Sequence, residues 1–246
     1  MSILITRPEP AASELVLRLK NIGKFAWALP LIQFTPGREL HYLPQRLQTL
    51  HHGDLVFLLS QQVVYFANPT LQNSIISWPK FLDYYAIGRS TALAMKNVTN
   101  LEVNYPHKRE SSEELIRLNR LKKINGKNAL ILRGNTGREL LAETLVMRGV
   151  KVKYCECYQR HKKYYDGKIE GRRWRNIGIT TLVVTSGEML EQLFVMFTPI
   201  DRLQWLLRCR LLVVNERLAI QAAKLGWRNI DVAHGADNNS LIYALQ

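Results

Sequence analysis

Short apolar runs rich in Val, Ile and Leu recur along the chain, separated by longer stretches in which apolar residues return at one-turn spacing. Such alternation predicts strands and helices built around parallel sheets, and the nearly continuous hydrophobicity of the runs predicts cover on both faces. The runs lie at 3–6 (ILIT), 55–60 (LVFLLS), 84–88 (YYAIG), 101–105 (LEVNY), 129–133 (ALILR), 150–158 (VKVKYCECY), 181–186 (TLVVTS), 210–215 (RLLVVN) and 229–233 (NIDVA). The expected class is α/β.

Sliding the chain on itself by 126 residues aligns 3–23 with 129–149 without a gap. Leu4, Ile5, Arg7, Leu15, Leu19, Gly23 and Gln33 meet Leu130, Ile131, Arg133, Leu141, Leu145, Gly149 and Gln159, where average composition would give about two identities. The same shift pairs Ser60 with Ser186, so the chain contains two similar α/β units. Each opens with a strand and enters a helix with Leu15, Leu19 and Ile22, or Leu141 and Leu145, on one face; Gly23 and Gly149 end those helices. The strands that follow, from 25 and from 150, run on into LIQFTP and ECYQRHK at equivalent positions and read as a two-stranded connection. Five strands per unit suggest flavodoxin-like sheets. Two connectivities fit: consecutive halves, or an N-terminal module that packs with the C-terminal strands and encloses a central domain. The second puts both long strands at the crossings, near 31–36 and 156–162, and is preferred.

Composition narrows the function. Lys plus Arg exceed Asp plus Glu by 34 against 20, and the resulting +14 attracts polyanions without naming one. An odd three cysteines and an N-terminus lacking a signal-peptide pattern predict a reducing cytoplasm, and no run approaches membrane-spanning length. Cys155 and Cys157 fall on one face of a strand, and neither they nor the six histidines have metal-ligand spacing.

Ligands of open α/β sheets bind at the carboxyl ends of strands, which here carry Arg7, Ser60, Gly88, Arg89, Ser90, Arg133, Gly134, Asn135, Thr185, Ser186, Gly187 and Asn215. Small and hydroxylated residues there free backbone N–H groups at helix N-termini, which suits carboxylate or phosphate. LRGNTGRE at 132–139 resembles a phosphate cradle but lacks both GxxxxGK[ST] and GxGxxG, so no cofactor is expected. GxSxG is missing too, so Ser186 in TSGEM reads as a binding group and not as a nucleophile.

ILITRP at the start, YAIGRSTALA at 85–94, ILRGNTGRELL at 131–141, CECYQR at 155–160, VVTSGEML at 183–190 and LLVVNERLA at 211–219 together resemble the bacterial uroporphyrinogen-III synthases of enterobacterial type. The resemblance implies two flavodoxin-like domains joined by a two-stranded linker, residues 1–34 plus 163–246 and residues 35–162, with the active site in the cleft between them. It implies a polyanionic linear tetrapyrrole as substrate, hydroxymethylbilane, cyclised with loss of water and inversion of the terminal pyrrole. It implies neither membrane nor nucleic acid as partner, and leaves open a hand-over from hydroxymethylbilane synthase. Tyr158 matches the tyrosine that the family turns toward its cleft, where a phenol can donate to the departing hydroxyl. Ser60, Ser186, Arg7 and Arg133 match strand-end positions. The chain departs from some relatives in having Asn215, Glu216 and Arg217 where they carry a hydroxyl pair. The alternative from the basic surface and the GNTG loop is a nucleotide- or nucleic-acid-binding module of flavodoxin type.

Overall fold

The computed structural model describes residues 1–137 and 139–246. The chain divides into two compact units, Met1–Gln33 with His161–Gln246 (unit 1) and Phe34–Arg160 (unit 2).

Among the described residues, the first sheet contains β1 (Ser2–Ile5), β2 (Phe25–Ala28), β9 (Thr181–Val183), β10 (Arg210–Val213) and β11 (Ile230–Val232). The second contains β3 (Ile32–Pro36), β4 (Leu55–Leu58), β5 (Asp83–Ala86), β6 (Val103–Asn104), β7 (Asn128–Gly134) and β8 (Lys151–Lys162). The orders are β11-β10-β9-β1-β2 and β3-β8-β7-β4-β5-β6. With β3 set aside, both follow the 2-1-3-4-5 order of flavodoxin-like sheets. The second is circularly permuted: its β7 and β8 take the places of β1 and β2 but come last in the chain. All the registered pairs are parallel.

Double-sided cover explains the apolar runs. In β4 every side chain is buried; Val56 and Leu58 enter a core with Leu43, Val63, Leu71 and Cys155, while Leu55 and Phe57 enter another with Leu115, Ile131 and Leu145. Burying four such side chains contributes on the order of 1.5–3 kcal/mol each. In unit 1, helix α1 (Ala11–Asn21) buries Leu15 and Leu19 against Ile3, Ile5 and Val183. Gly23 and Gly149 follow the first helix of each repeat with φ of 77° and 78°, a left-handed conformation that glycine adopts without a Cβ clash. Ile22 differs from expectation: it is the C-cap residue of α1 and is 47% exposed.

Two other readings need correction. The segment from residue 25 is two strands, because β2 ends at Ala28, Pro30 offers no N–H, and the amides of Leu29 and Leu31 return to the Ile5 and Thr6 carbonyls. Its counterpart β8 runs unbroken for 12 residues. The Lys163 amide donates to the Leu31 carbonyl and the Gly37 amide to the Cys157 carbonyl, so β3 and β8 run antiparallel. The expected strand at 101–105 shrinks to the two residues of β6 at the sheet edge.

Further helices in unit 2 are α2 (Leu43–Gln48), α3 (Gln61–Asn73), α4 (Arg89–Thr99), α5 (Ser112–Ile116) and α6 (Leu140–Met147). Unit 1 adds α7 (Gly167–Ile177), α8 (Gly187–Met196), α9 (Pro199–Gln204), α10 (Glu216–Leu225) and α11 (Asn238–Ala244). Among the described residues no helix is long and apolar enough to cross a membrane.

Candidate active site

Unit 2 brings three of the sequence-derived residues into contact at the carboxyl ends of its strands. β7 and β8 are paired residue for residue up to Arg133 and Glu156; an irregularity then sets Gly134 opposite Tyr158, leaving Cys157 as the extra residue. A bulge of this kind re-aims the side chains beyond it. The Tyr158 ring lies directly over the glycine. A Cβ at residue 134 would fall 2.7 Å from Cε2 and Cζ of that ring and 3.0 Å from its hydroxyl, closer than carbon atoms can approach. Phe34 packs edge-on against the ring with centroids 5.5 Å apart, and Phe66 lies nearly parallel to it at 6.3 Å. The Ser60 hydroxyl and the phenol oxygen share a hydrogen bond of 3.0 Å.

That bond diverts Ser60 from its local task. Ser60 is the N-cap residue of α3, with extended backbone at φ −167° and ψ 163°, yet its side chain accepts nothing from the helix. In a serine so placed the hydroxyl ordinarily accepts from the first-turn amides.

The loop after β7 is held from within. Asn135 Oδ1 accepts from the Arg160 amide at 2.9 Å, tying the loop to β8. Arg133 forms an ion pair with Glu139, Nη1 to Oε1 2.7 Å, and its guanidinium sits 4.7 Å from the centre of the Tyr154 ring. The Tyr154 phenol donates to the other Glu139 oxygen. Hydrogen bonds from Tyr154 and Arg133 hold the Glu139 carboxyl below the usual carboxylate range. Burial and the Glu139 contact push Tyr154 up to about 12. Arg138 of this motif lies outside the described residues.

At the start of α4 the N-cap is Gly88, and a carboxylate already sits there. The Arg89 amide donates to Glu110 Oε1 at 2.9 Å, and a Cβ on Gly88 would fall 2.3 Å from Glu110 Oε2. Arg89 and Ser90 are exposed beside it. The segment bearing Glu110 lines an open cavity of about 570 Å³ with Ile87, Arg109, Ser111 and Arg117.

Unit 1 closes its strand ends with its own side chains. Ser186 caps α8 by accepting from the Met189 amide at 3.3 Å, with half-buried Thr185 before it and Gly187 opening the helix. Asn215 caps α10 through the Leu218 amide at 2.9 Å. Arg7 donates to Asn238 Oδ1 at 2.5 Å. Burial lowers the pKa of its guanidinium, opposed by Glu14 and Asp237.

Sequence reasoning passed over Phe34, Phe66, Glu110 and Glu139. Phe34 fell within the LIQFTP segment read as a connection, Phe66 lies in no motif singled out, and Glu110 lies 21 residues from the amide it meets. Glu139 alone carried a signal, as the last residue of the LRGNTGRE motif.

The family model described as uroporphyrinogen-III synthase HemD matches residues 13–243. The chain is 56% identical to the uroporphyrinogen-III synthase of Salmonella typhimurium and 52% identical to that of Escherichia coli, in each case over 246 residues and the full length of both chains. The Proteus mirabilis enzyme is 46% identical over 193 residues, 78% of this chain and 97% of its own. Among solved structures, a mutant uroporphyrinogen III synthase from Thermus thermophilus aligns at TM-score 0.57 and 14% identity, covering 100% of this chain and 99% of that one. The Helicobacter pylori enzyme aligns at 0.56 and 17%, with the same coverage. At these identities the structural matches speak for the fold.

Proposed function

The chain belongs to the uroporphyrinogen-III synthase family, cyclising lyases of tetrapyrrole and heme biosynthesis, and on that premise we propose that it closes hydroxymethylbilane into uroporphyrinogen III with Tyr158 as proton donor. In the proposed reaction the pyrrole nitrogen's electron pair expels the bilane hydroxyl, and the phenol supplies the proton with which that group leaves as water. The azafulvene cation is then attacked by the substituted α-carbon of the terminal pyrrole. The bond from that carbon to its original methylene breaks, the free α-carbon of the same ring bonds that methylene so that the ring is inverted, and the proton it loses returns to the phenolate. The protein's share is to hold the reacting ends together and to donate at one atom.

The observation that carries this reading is the setting of the Tyr158 hydroxyl. It stands within β8, beside the carboxyl end of β7 and the turn after β4, on a ring braced by Phe34 and Phe66 above a glycine, with Ser60 as hydrogen-bond partner. Carboxylates of the substrate have candidate contacts in both units: Arg7, Thr185, Ser186, Gly187 and Asn215 in one; Gly88, Arg89, Ser90, Arg133, Gly134 and Asn135 in the other. At the start of α4 a substrate carboxylate would take the place of Glu110. The net charge of +14 favours encounter with such a polyanion. Hand-over from hydroxymethylbilane synthase would suit a substrate that cyclises unaided, and three unpaired thiols suit a reducing cytoplasm.

The test is incubation with freshly generated hydroxymethylbilane and isomer analysis of the oxidised product. Isomer III is expected without added cofactor; isomer I alone, formed at the rate seen in buffer, refutes the reading. Tyr158→Phe should lower kcat by about 10²-fold, the low end for a general acid, with KM little changed. Full kcat in that variant would make Tyr158 a packing residue.

A further inference from the structure

Ser60 and Ser186 occupy equivalent repeat positions and the same extended N-cap conformation, φ −167° and −150°. Ser186 accepts from its own helix, whereas Ser60 turns away and meets the Tyr158 phenol at 3.0 Å. The phenol can come that close only because residue 134 has no side chain. Two hydroxyl groups sharing one hydrogen bond have two protons between them and use one. With Ser60 as donor, the proton left over is the phenol's.

We infer that Ser60 is the positioning residue for the proton donor: it donates to the Tyr158 oxygen, fixes the rotation of the phenol O–H, and leaves that proton free for the substrate's departing hydroxyl. Accepting a hydrogen bond also polarises the phenol, which strengthens its own donation. Without Ser60 the O–H would rotate freely about its C–O bond and spend part of its time misdirected. The inference rests on Tyr158 being the donor, and it assigns Ser60 a role through the tyrosine in place of contact with a substrate carboxylate.

A double-mutant cycle separates these roles. Ser60→Ala in the otherwise unchanged protein should lower kcat about tenfold and move KM less than twofold, as expected when only the orientation of a general acid is lost. In the Tyr158→Phe background the same change should have no further effect on kcat, since there is no proton left to orient. Thermal unfolding of each variant checks that all four proteins are folded. A rise in KM with kcat intact would make Ser60 a substrate contact and overturn the inference. An equal fall in kcat in both backgrounds would show that Ser60 acts independently, and overturn it as well. If Tyr158→Phe is impaired while Ser60→Ala is fully active, only this inference fails. A fully active Tyr158→Phe would instead strike the donor assignment itself, and Ser60's role with it.

Discussion

At the turn after the third sheet position, units 1 and 2 carry the same residue in the same backbone conformation and use it differently. Ser186 caps α8, and Asn215 does the same for α10 one strand further on. In unit 2, α3 has no capping side chain because Ser60 is engaged by Tyr158, and α4 begins at Gly88 with Glu110 brought in from a distant segment. The residues 126 positions before Tyr158 and Gly134 are Ile32 and Pro8. Unit 1 therefore has neither the phenol nor the glycine at the equivalent repeat positions, and its serine serves its helix. A repeated backbone has kept its geometry while a glycine on the adjacent strand β7 and a tyrosine on β8 beyond it changed what one hydroxyl does. The forgone cap costs α3 about 1 kcal/mol, a sacrifice more often seen at functional positions than at structural ones.

The contrast can be broken most forcefully at Gly134. Gly134→Ala places a methyl 2.7 Å from the Tyr158 ring, so the ring must move. We expect about 1–3 kcal/mol of destabilisation from the overpacking, read by denaturant unfolding. Activity should fall at least to that of Tyr158→Phe, about 10²-fold in kcat. A variant with unchanged kcat would show that the ring's position over the glycine is irrelevant to the reaction.

A smaller effect is expected at α4. Glu110→Ala removes the resident carboxylate from the Arg89 amide and leaves that helix start open. If a substrate carboxylate binds there, KM should fall about three- to tenfold, the change expected when a competing, solvent-exposed hydrogen bond of about 1 kcal/mol is removed. An unchanged or raised KM would mean that Glu110 is part of the structure and that this strand end takes no substrate. The smallest change should be Ser186→Ala, which removes a cap that is in use: about 1 kcal/mol of stability. Its signature is a lower unfolding midpoint with a raised KM and a near-normal kcat, the reverse of Ser60→Ala.

Much of the fold was legible because it depends on patterns local to the sequence. A strand covered on both faces must be apolar throughout, so Leu55, Val56, Phe57 and Leu58 announced β4 and its depth together. Gly23 and Gly149 announced helix ends because left-handed backbone penalises every residue with a Cβ. The break at Pro30 was missed because apolar residues continue through it, and hydrophobicity does not record which sheet a strand joins. Of the site, Tyr158, Ser60 and Gly134 were each singled out, but for separate reasons and with no sign that they touch. Phe34, Phe66 and Glu110 gave no local signal.

By itself the sequence determined the class, the repeat, where most of the strands end, and a family resemblance that the comparisons bear out. The class and the strands follow from periodicity and composition, which act over a few neighbouring residues; the repeat follows from matching stretches 126 residues apart, and the resemblance from six short motifs. Only the tertiary structure decided that β7 and β8 slip by one residue beyond Arg133, that Ser60 bonds a phenol 98 residues away, and that Glu110 fills the start of α4. Such contacts are set by strand register and loop closure, where a shift of a single residue changes which side chains meet, and no local pattern of residues encodes that shift.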